Sequence, residues 1–194
     1  ALVKQADRMR GLLVHSRNRR EHNDGDPRVV KQSERALQRC LQEELKRIED
    51  AIDKLYHTDN TLTEQVTLLR TIPGVGDKSA SQILTYGGIA LQERGNRELT
   101  AHAGLAPQHH LSGKSVRGRS RLNKQGSRRL RTVLYMPTLV ATKCNPVIKK
   151  FYERLKQNGK AKKLALIACM RKLLIMCRAI LRTKTPFDPK LALT

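Results

Sequence analysis

An all-α fold is what this sequence predicts: an N-terminal helical hairpin or coiled coil, then a compact helical domain holding a helix-hairpin-helix turn and a basic loop. Three observations predict it. Leu41, Leu45, Ile48, Ile52 and Leu55 are spaced four, three, four and three, which is a heptad seam. Leu164, Leu166, Ile167, Leu173, Leu174, Ile175, Ile180 and Leu181 nearly encircle one helix, the mark of a helix buried at the centre. No stretch alternates polar and apolar residues over a convincing strand length.

Each element follows in order. Residues 1–22 read as a helix, with Leu2, Ala6, Met9 and Leu13 near helical spacing; His22 to Pro27 breaks it with Gly and Pro. A second helix runs from about Val29 to His57, its other faces covered by Glu43, Glu44, Lys46, Arg47, Glu49, Asp50 and Lys54. At that length the seam needs a partner, either the first helix or a second copy. A helix over about 62–70 then meets "TIPGVGDKSASQIL", Thr71 to Leu84. Gly74 and Gly76 permit a tight turn, the next helix's first N–H groups can hold a phosphate oxygen, and Lys78 can add its charge. A helix–helix turn that touches no ligand is the plainer reading of the same residues. Thr100 to Pro107 reads as a short apolar turn. Helices follow over about 127–144, kinked at Pro137, with Leu130, Val133, Leu134, Leu139 and Val140 as the apolar face. Two more cover about 146–156 and 162–181. The domain boundaries so read are 1–60, 61–185 and a tail over 186–194.

The net charge of +22 on 194 residues exceeds what solubility requires. Residues 1–98 carry 17 basic and 15 acidic groups, whereas residues 99–194 carry 22 and 2. The second half is therefore built against a polyanion: nucleic acid first, an anionic membrane surface second. No run approaches the ~18 apolar residues of a membrane span. The opening "ALVKQADRMR" lacks an initiator Met and an apolar signal core, and is expected to be the interior of a longer protein. Cys40, Cys144, Cys169 and Cys177 lack metal-binding spacing and are expected to be buried, reduced thiols, which favours the cytoplasm.

The basic loop 107–127 concentrates the charge. From His109 to Arg131 there are eight Lys or Arg and no carboxylate. Gly113, Gly118 and Gly126 let its backbone approach a ligand closely, and it has room for a short hairpin. Lys114, Arg117, Arg119, Arg121, Lys124, Arg128, Arg129 and Arg131 are candidate phosphate contacts; the alternating Arg117, Arg119 and Arg121 would share one side of an extended segment. Ser112, Ser115 and Ser120 are equally placed. Each could donate a hydrogen bond to phosphate, or act as a nucleophile stabilised by the surrounding cations with His109 or His110 relaying a proton. Two-metal nuclease chemistry would need clustered carboxylates, and the basic half offers only Glu153 and Asp188.

The blocks "LLRTIPGVGDKSASQIL", "LTAHAGLAPQHHLSGKSVRGRSRLNKQGSRRLRTVLYMPTLVA" and "NPVIKKFYERLKQNGKAKKLALIACMRKLLIM" resemble, in that order, the C-terminal domain of Piv-type insertion-sequence transposases, the bridge-RNA-guided recombinases. The resemblance covers about residues 66–182, and the preceding helices look like that family's coiled coil. It implies that the serine of the "SG" in the basic loop, Ser112, attacks DNA and forms a phosphoserine link, with Ser115 in reserve. It further implies a RuvC-like N-terminal domain whose acidic residues bind magnesium, a composite active site between protomers, and a structured guide RNA. The expected whole is a prokaryotic, cytoplasmic, nucleoid-associated DNA recombinase that forms a dimer or higher oligomer through the coiled coil. This chain alone should need no cofactor, bind RNA and DNA, and cleave neither. The alternative is a non-catalytic helix-hairpin-helix module that only grips nucleic-acid backbone.

Overall fold

The computed structural model describes residues 2–21, 28–108, 111–112, 116–117, 121–122 and 125–189. They fall into two units, 1–63 and 64–194.

In the first unit, α1 (Leu2–Glu21) and α2 (Arg28–Thr58) pack together. Arg10 donates to Glu49 at 2.6 Å and Gln38 donates to Ser16 at 3.1 Å, so partners on α2 descend as α1 ascends and the pair is antiparallel. Of the two arrangements open to the seam, the hairpin is the one the chain makes with itself. Ala6 is fully buried and Ile48 nearly so, while Leu41, Leu45 and Ile52 are half-buried. Leu12, Val14 and Leu37 stay exposed.

The division between the units falls inside α3 (Asn60–Arg70). Asp59 caps this helix: its Oδ1 accepts from the backbone N–H groups of Thr61 and Leu62 at 2.9 and 3.3 Å. The Thr61 hydroxyl, at 2.6 Å from the same oxygen, is the main cause that holds the Asp59 pKa below its ordinary value.

Among its described residues, the regular structure of the second unit is helical apart from short antiparallel ladders. After α3 come α4 (Asp77–Gly87), α5 (Ala90–Glu93) and α6 (Asn96–His102), then two short ladders, then α7 (Arg128–Cys144), α8 (Pro146–Gln157) and α9 (Lys162–Thr183). Helix α9 is the central post, packed by α5, α6, α7 and α8. It buries ten residues, including Leu166, Cys169, Leu173, Leu174, Cys177 and Ile180. Leu164, counted in its apolar girdle from sequence, is 59% exposed because it sits in the first turn, ahead of the packed section.

Three other expectations are corrected. The buried side of α7 is Leu130, Leu134, Pro137, Thr138 and Ala141, at helical spacing, whereas Leu139 and Val140 face outward. A small residue is needed at Ala141 because the turn after α3 comes within a backbone's width of it. The helix continues across Pro137, and Thr138 returns its hydroxyl to the Leu134 carbonyl at 2.6 Å. The segment read as an apolar turn from Thr100 begins instead with the end of α6. There Gly104 (φ 65) is left-handed, and Leu105 and Gly104 donate to the carbonyls of Thr100 and Ala101, both at 2.8 Å, closing a Schellman end. In the supposed tail, Phe187 packs against the core and its N–H donates to the Thr71 hydroxyl at 2.9 Å.

All four cysteines are free thiols, but only Cys169 and Cys177 are buried; Cys40 and Cys144 are exposed. Burial pushes the Cys169 thiol up to about 11 and Cys177 up to about 12. A thiol-reactive dye at neutral pH should therefore label two sites quickly and the other two only after denaturation; four fast sites would contradict the packing of α9.

Candidate functional site

The basic segment folds as a hairpin. Strands β1 (Pro107–Gln108) and β4 (Arg121–Leu122) pair antiparallel, as do β2 (Leu111–Ser112) and β3 (Val116–Arg117). Pro107 lies opposite Leu122 and Gln108 opposite Arg121; further out, Leu111 lies opposite Arg117 and Ser112 opposite Val116. Positions 109–110 and 118–120, between the two ladders, lie outside the described residues. The alternation expected through Arg117, Arg119 and Arg121 runs across the second of these stretches. Ser112 is the last residue of β2, and positions 113–115 lie outside the described residues. Lys114, Ser115, Arg119, Lys124, His109 and His110 lie outside the described residues, as do the side chains of Ser112, Arg117 and Arg121.

The base of this hairpin is fastened to the helical unit by contacts the sequence did not disclose. Gly126 runs directly against the backbone of α6's end: a Cβ there would strike the Gly104 nitrogen and the His102 carbonyl oxygen. Ser127 donates its N–H to that same carbonyl at 2.6 Å, and its hydroxyl caps α7 by accepting from Leu130. Arg131, expected among the phosphate contacts, is half-buried and donates Nη1 to the carbonyls of Ala103 and Gly126, at 3.1 and 3.2 Å. One guanidinium thus ties the entry of the hairpin to its exit. Arg128 and Arg129 are exposed beside it, and the Arg129 guanidinium stands 5.8 Å from the Tyr86 ring centroid.

The α3–α4 turn supplies the other candidates. Gly74 has φ 102, and a Cβ on it would come within 2.9 Å of the Ala141 backbone, so this glycine serves the packing of the turn on α7. Gly76 differs: it is exposed, its φ is an ordinary −93, and nothing stands within 4 Å of where its Cβ would be. It precedes α4 with no side-chain cap, and Lys78 is exposed in the first turn. Asp77 shares that turn and is paired with Arg70 at 2.9 Å.

These glycines make distinguishable predictions. Gly74→Ala meets both a left-handed backbone and an immovable neighbour, and should cost about 2–4 kcal/mol of stability. Gly126→Ala meets backbone alone and should cost a similar amount. Gly76→Ala should change stability by less than about 1 kcal/mol. Thermal or denaturant unfolding of the three variants checks the ranking, and a Gly76 variant as damaged as the Gly74 variant would contradict the open space before α4.

Among the described residues no three His, Cys, Asp or Glu side chains gather where they could hold a metal ion. No helix among them is long and apolar enough to cross a membrane.

Residues 66–153, which hold the α3–α4 turn, the hairpin, α7 and most of α8, match the family model for the Transposase IS116/IS110/IS902 family. Over 192 residues the chain is 33% identical to the pilin gene-inverting proteins of Moraxella bovis and Moraxella lacunata, covering 98% of this chain and 59% of each relative. It is 27% identical over 124 residues to an uncharacterized 43.6 kDa protein of insertion element IS110 from Streptomyces coelicolor, covering 64% of this chain and 30% of the relative. The chain thus spans about three-fifths of the length of the pilin gene inverters it matches. With the family model matched around the hairpin and a likeness to gene inverters running almost end to end, residues 66–153 of the chain carry the domain of the Transposase IS116/IS110/IS902 family.

Proposed function

We propose that this chain is the serine-bearing part of a DNA recombinase, in which Ser112 makes the covalent bond to DNA. The observation that carries the reading is the basic hairpin: Ser112 closes its outer ladder opposite Val116, within a carboxylate-free run of 54 residues from Leu99 to Tyr152. Cations around a phosphodiester favour the extra negative charge of a pentacoordinate phosphorus.

The chemistry balances without an external energy source. The Ser112 hydroxyl loses its proton, its oxygen bonds to phosphorus, and one phosphorus–oxygen bond to a deoxyribose breaks, freeing that sugar's hydroxyl. A hydroxyl from the other strand then attacks the phosphoserine, restoring the serine and a phosphodiester. His109 and His110, three and two residues earlier in the chain, are the candidate proton carriers. Magnesium and its acidic ligands belong, in this reading, to the RuvC-like domain the resemblance implies; the described residues offer no cluster to hold it, so no step here runs through the metal.

The α3–α4 turn would act as a helix-hairpin-helix contact, with open space before Gly76 and Lys78 beside it. The exposed Leu12, Val14 and Leu37 on the α1–α2 hairpin support assembly with further copies, and a guide RNA would share the basic half with DNA in a prokaryotic cytoplasm. The test is a trap: a DNA nicked near the exchange point, incubated with the chain joined to its metal domain, should yield a phosphoserine peptide containing residue 112. A peptide modified at Ser115 moves the nucleophile; recombination with no protein–DNA adduct ends the covalent reading.

A further inference from the structure

A second basic surface is built from residues outside the hairpin, on α8 and the turn into α9. Val147, Ile148 and Leu155 bury one side of α8, with Phe151 and Tyr152 half-buried beside them. The opposite side shows Lys149, Lys150, Glu153, Arg154, Lys156 and Gln157, all exposed. Gly159 (φ 75) then turns the chain, and Lys160, Lys162 and Lys163 follow, also exposed. One carboxylate faces seven cations.

This is not how the chain makes an ordinary wet helix face. On α2 it mixes signs, Glu43 and Glu44 beside Lys46 and Arg47, and forms an Arg47–Glu44 pair at 2.6 Å. On α8 no ion pair among the described residues takes up any of the cations. Two of them instead stand over aromatic rings: Arg154 lies 5.3 Å from the Phe151 centroid and Lys156 lies 5.7 Å from that of Tyr152. Lys172 of α9 joins from another side, 5.0 Å from Phe151. An aromatic face steadies a cation without cancelling its charge, which leaves the charge available to a ligand.

We infer that this α8–α9 surface is a docking site for the backbone of duplex DNA, separate from the hairpin. The inference rests on the recombinase reading and adds a second place where that protein holds its substrate. Lys149 to Lys156 spans about 10 Å of helix axis, comparable with a few successive phosphates on one strand. Lysines dominate, so the contact is with charge rather than with base edges, and it positions without specifying. Phe151 and Tyr152 are packed against the core, so neither is offered as a stacking platform for unpaired bases or a wedge into lipid.

The experiment uses the full chain and a variant with Lys149, Lys150, Lys156, Lys160, Lys162 and Lys163 all changed to Gln. Affinity for a 30-base-pair DNA duplex is measured across a salt series. Each lost phosphate contact flattens the log–log salt slope by about 0.9, so losing four should flatten it by about three and a half. Matching Lys→Arg changes should keep the slope, and unchanged thermal unfolding of both variants shows that the fold is retained. An unchanged slope in the Gln variant overturns the proposal while leaving the hairpin reading intact. Tighter binding of an RNA duplex of the same sequence, or of phosphatidylserine vesicles, by a surface that the Gln changes abolish also overturns it. Wild-type protein that ignores duplex DNA altogether overturns the recombinase reading itself.

Discussion

Ser112→Ala should abolish strand exchange, by a factor on the order of 10⁴ or more, and leave nucleic-acid affinity within about twofold of wild type. The size of the effect follows from the role. A group that merely donates a hydrogen bond to phosphate contributes a few kcal/mol at most, whereas the oxygen that becomes bonded to phosphorus has no substitute. The specificity follows from the backbone. Ser112 pairs with Val116 through main-chain groups, which alanine also possesses, so the ladder survives the change. Ser115→Ala and Ser120→Ala are the controls, since composition alone ranks the three serines equally; both should recombine. Measured in a protein that joins this chain to the metal domain the proposed function calls for, undiminished exchange by Ser112→Ala would leave only a non-catalytic grip on nucleic acid.

The long helices were legible in the sequence because burial imposes a period, and the apolar residues of α2 and α9 display it over many turns. Helix α6 was not, because its seven residues give fewer than two full turns and the signal lay in its terminator, Gly104, which reads locally as a loop glycine. The face of α7 was misplaced by a rotation for a related reason. Pattern reading rewards large residues, whereas here the close approach of Gly74 demands a small residue at Ala141, and Leu139 and Val140 stay outside. The candidate site shows the same limit. Its charge and its serine were visible as composition, but what anchors it was not. Arg131 looks like its neighbours Arg128 and Arg129 until the chain folds and brings two carbonyls 28 and 5 residues away within reach of one guanidinium. The pairing of the hairpin was equally hidden, since its arms carry cations rather than an apolar alternation that would fix a register.

Affinity of the chain for DNA should fall by about three to five decades between ~50 and ~200 mM salt, if six to ten phosphates are engaged. Each cation seated on a phosphate releases condensed counterions, and that release weakens as bulk salt rises; a hydrogen-bonded or apolar interface has no comparable dependence. Changing Arg117, Arg119 and Arg121 together to Gln should lower affinity for every sequence alike and flatten the salt slope by up to about 2.7, because phosphate contacts carry no sequence information. Arg131 must be left out of that set. Its Nη1 already serves the Ala103 and Gly126 carbonyls, so Arg131→Gln would loosen the hairpin's seat and confuse a structural loss with an electrostatic one. The combination of outcomes is what discriminates. A nearly flat wild-type titration would remove nucleic acid as the partner of the basic half. A steep wild-type slope that the triple change leaves untouched would instead move the phosphate contacts off the hairpin, and with them the physical reason for placing a phosphodiester beside Ser112.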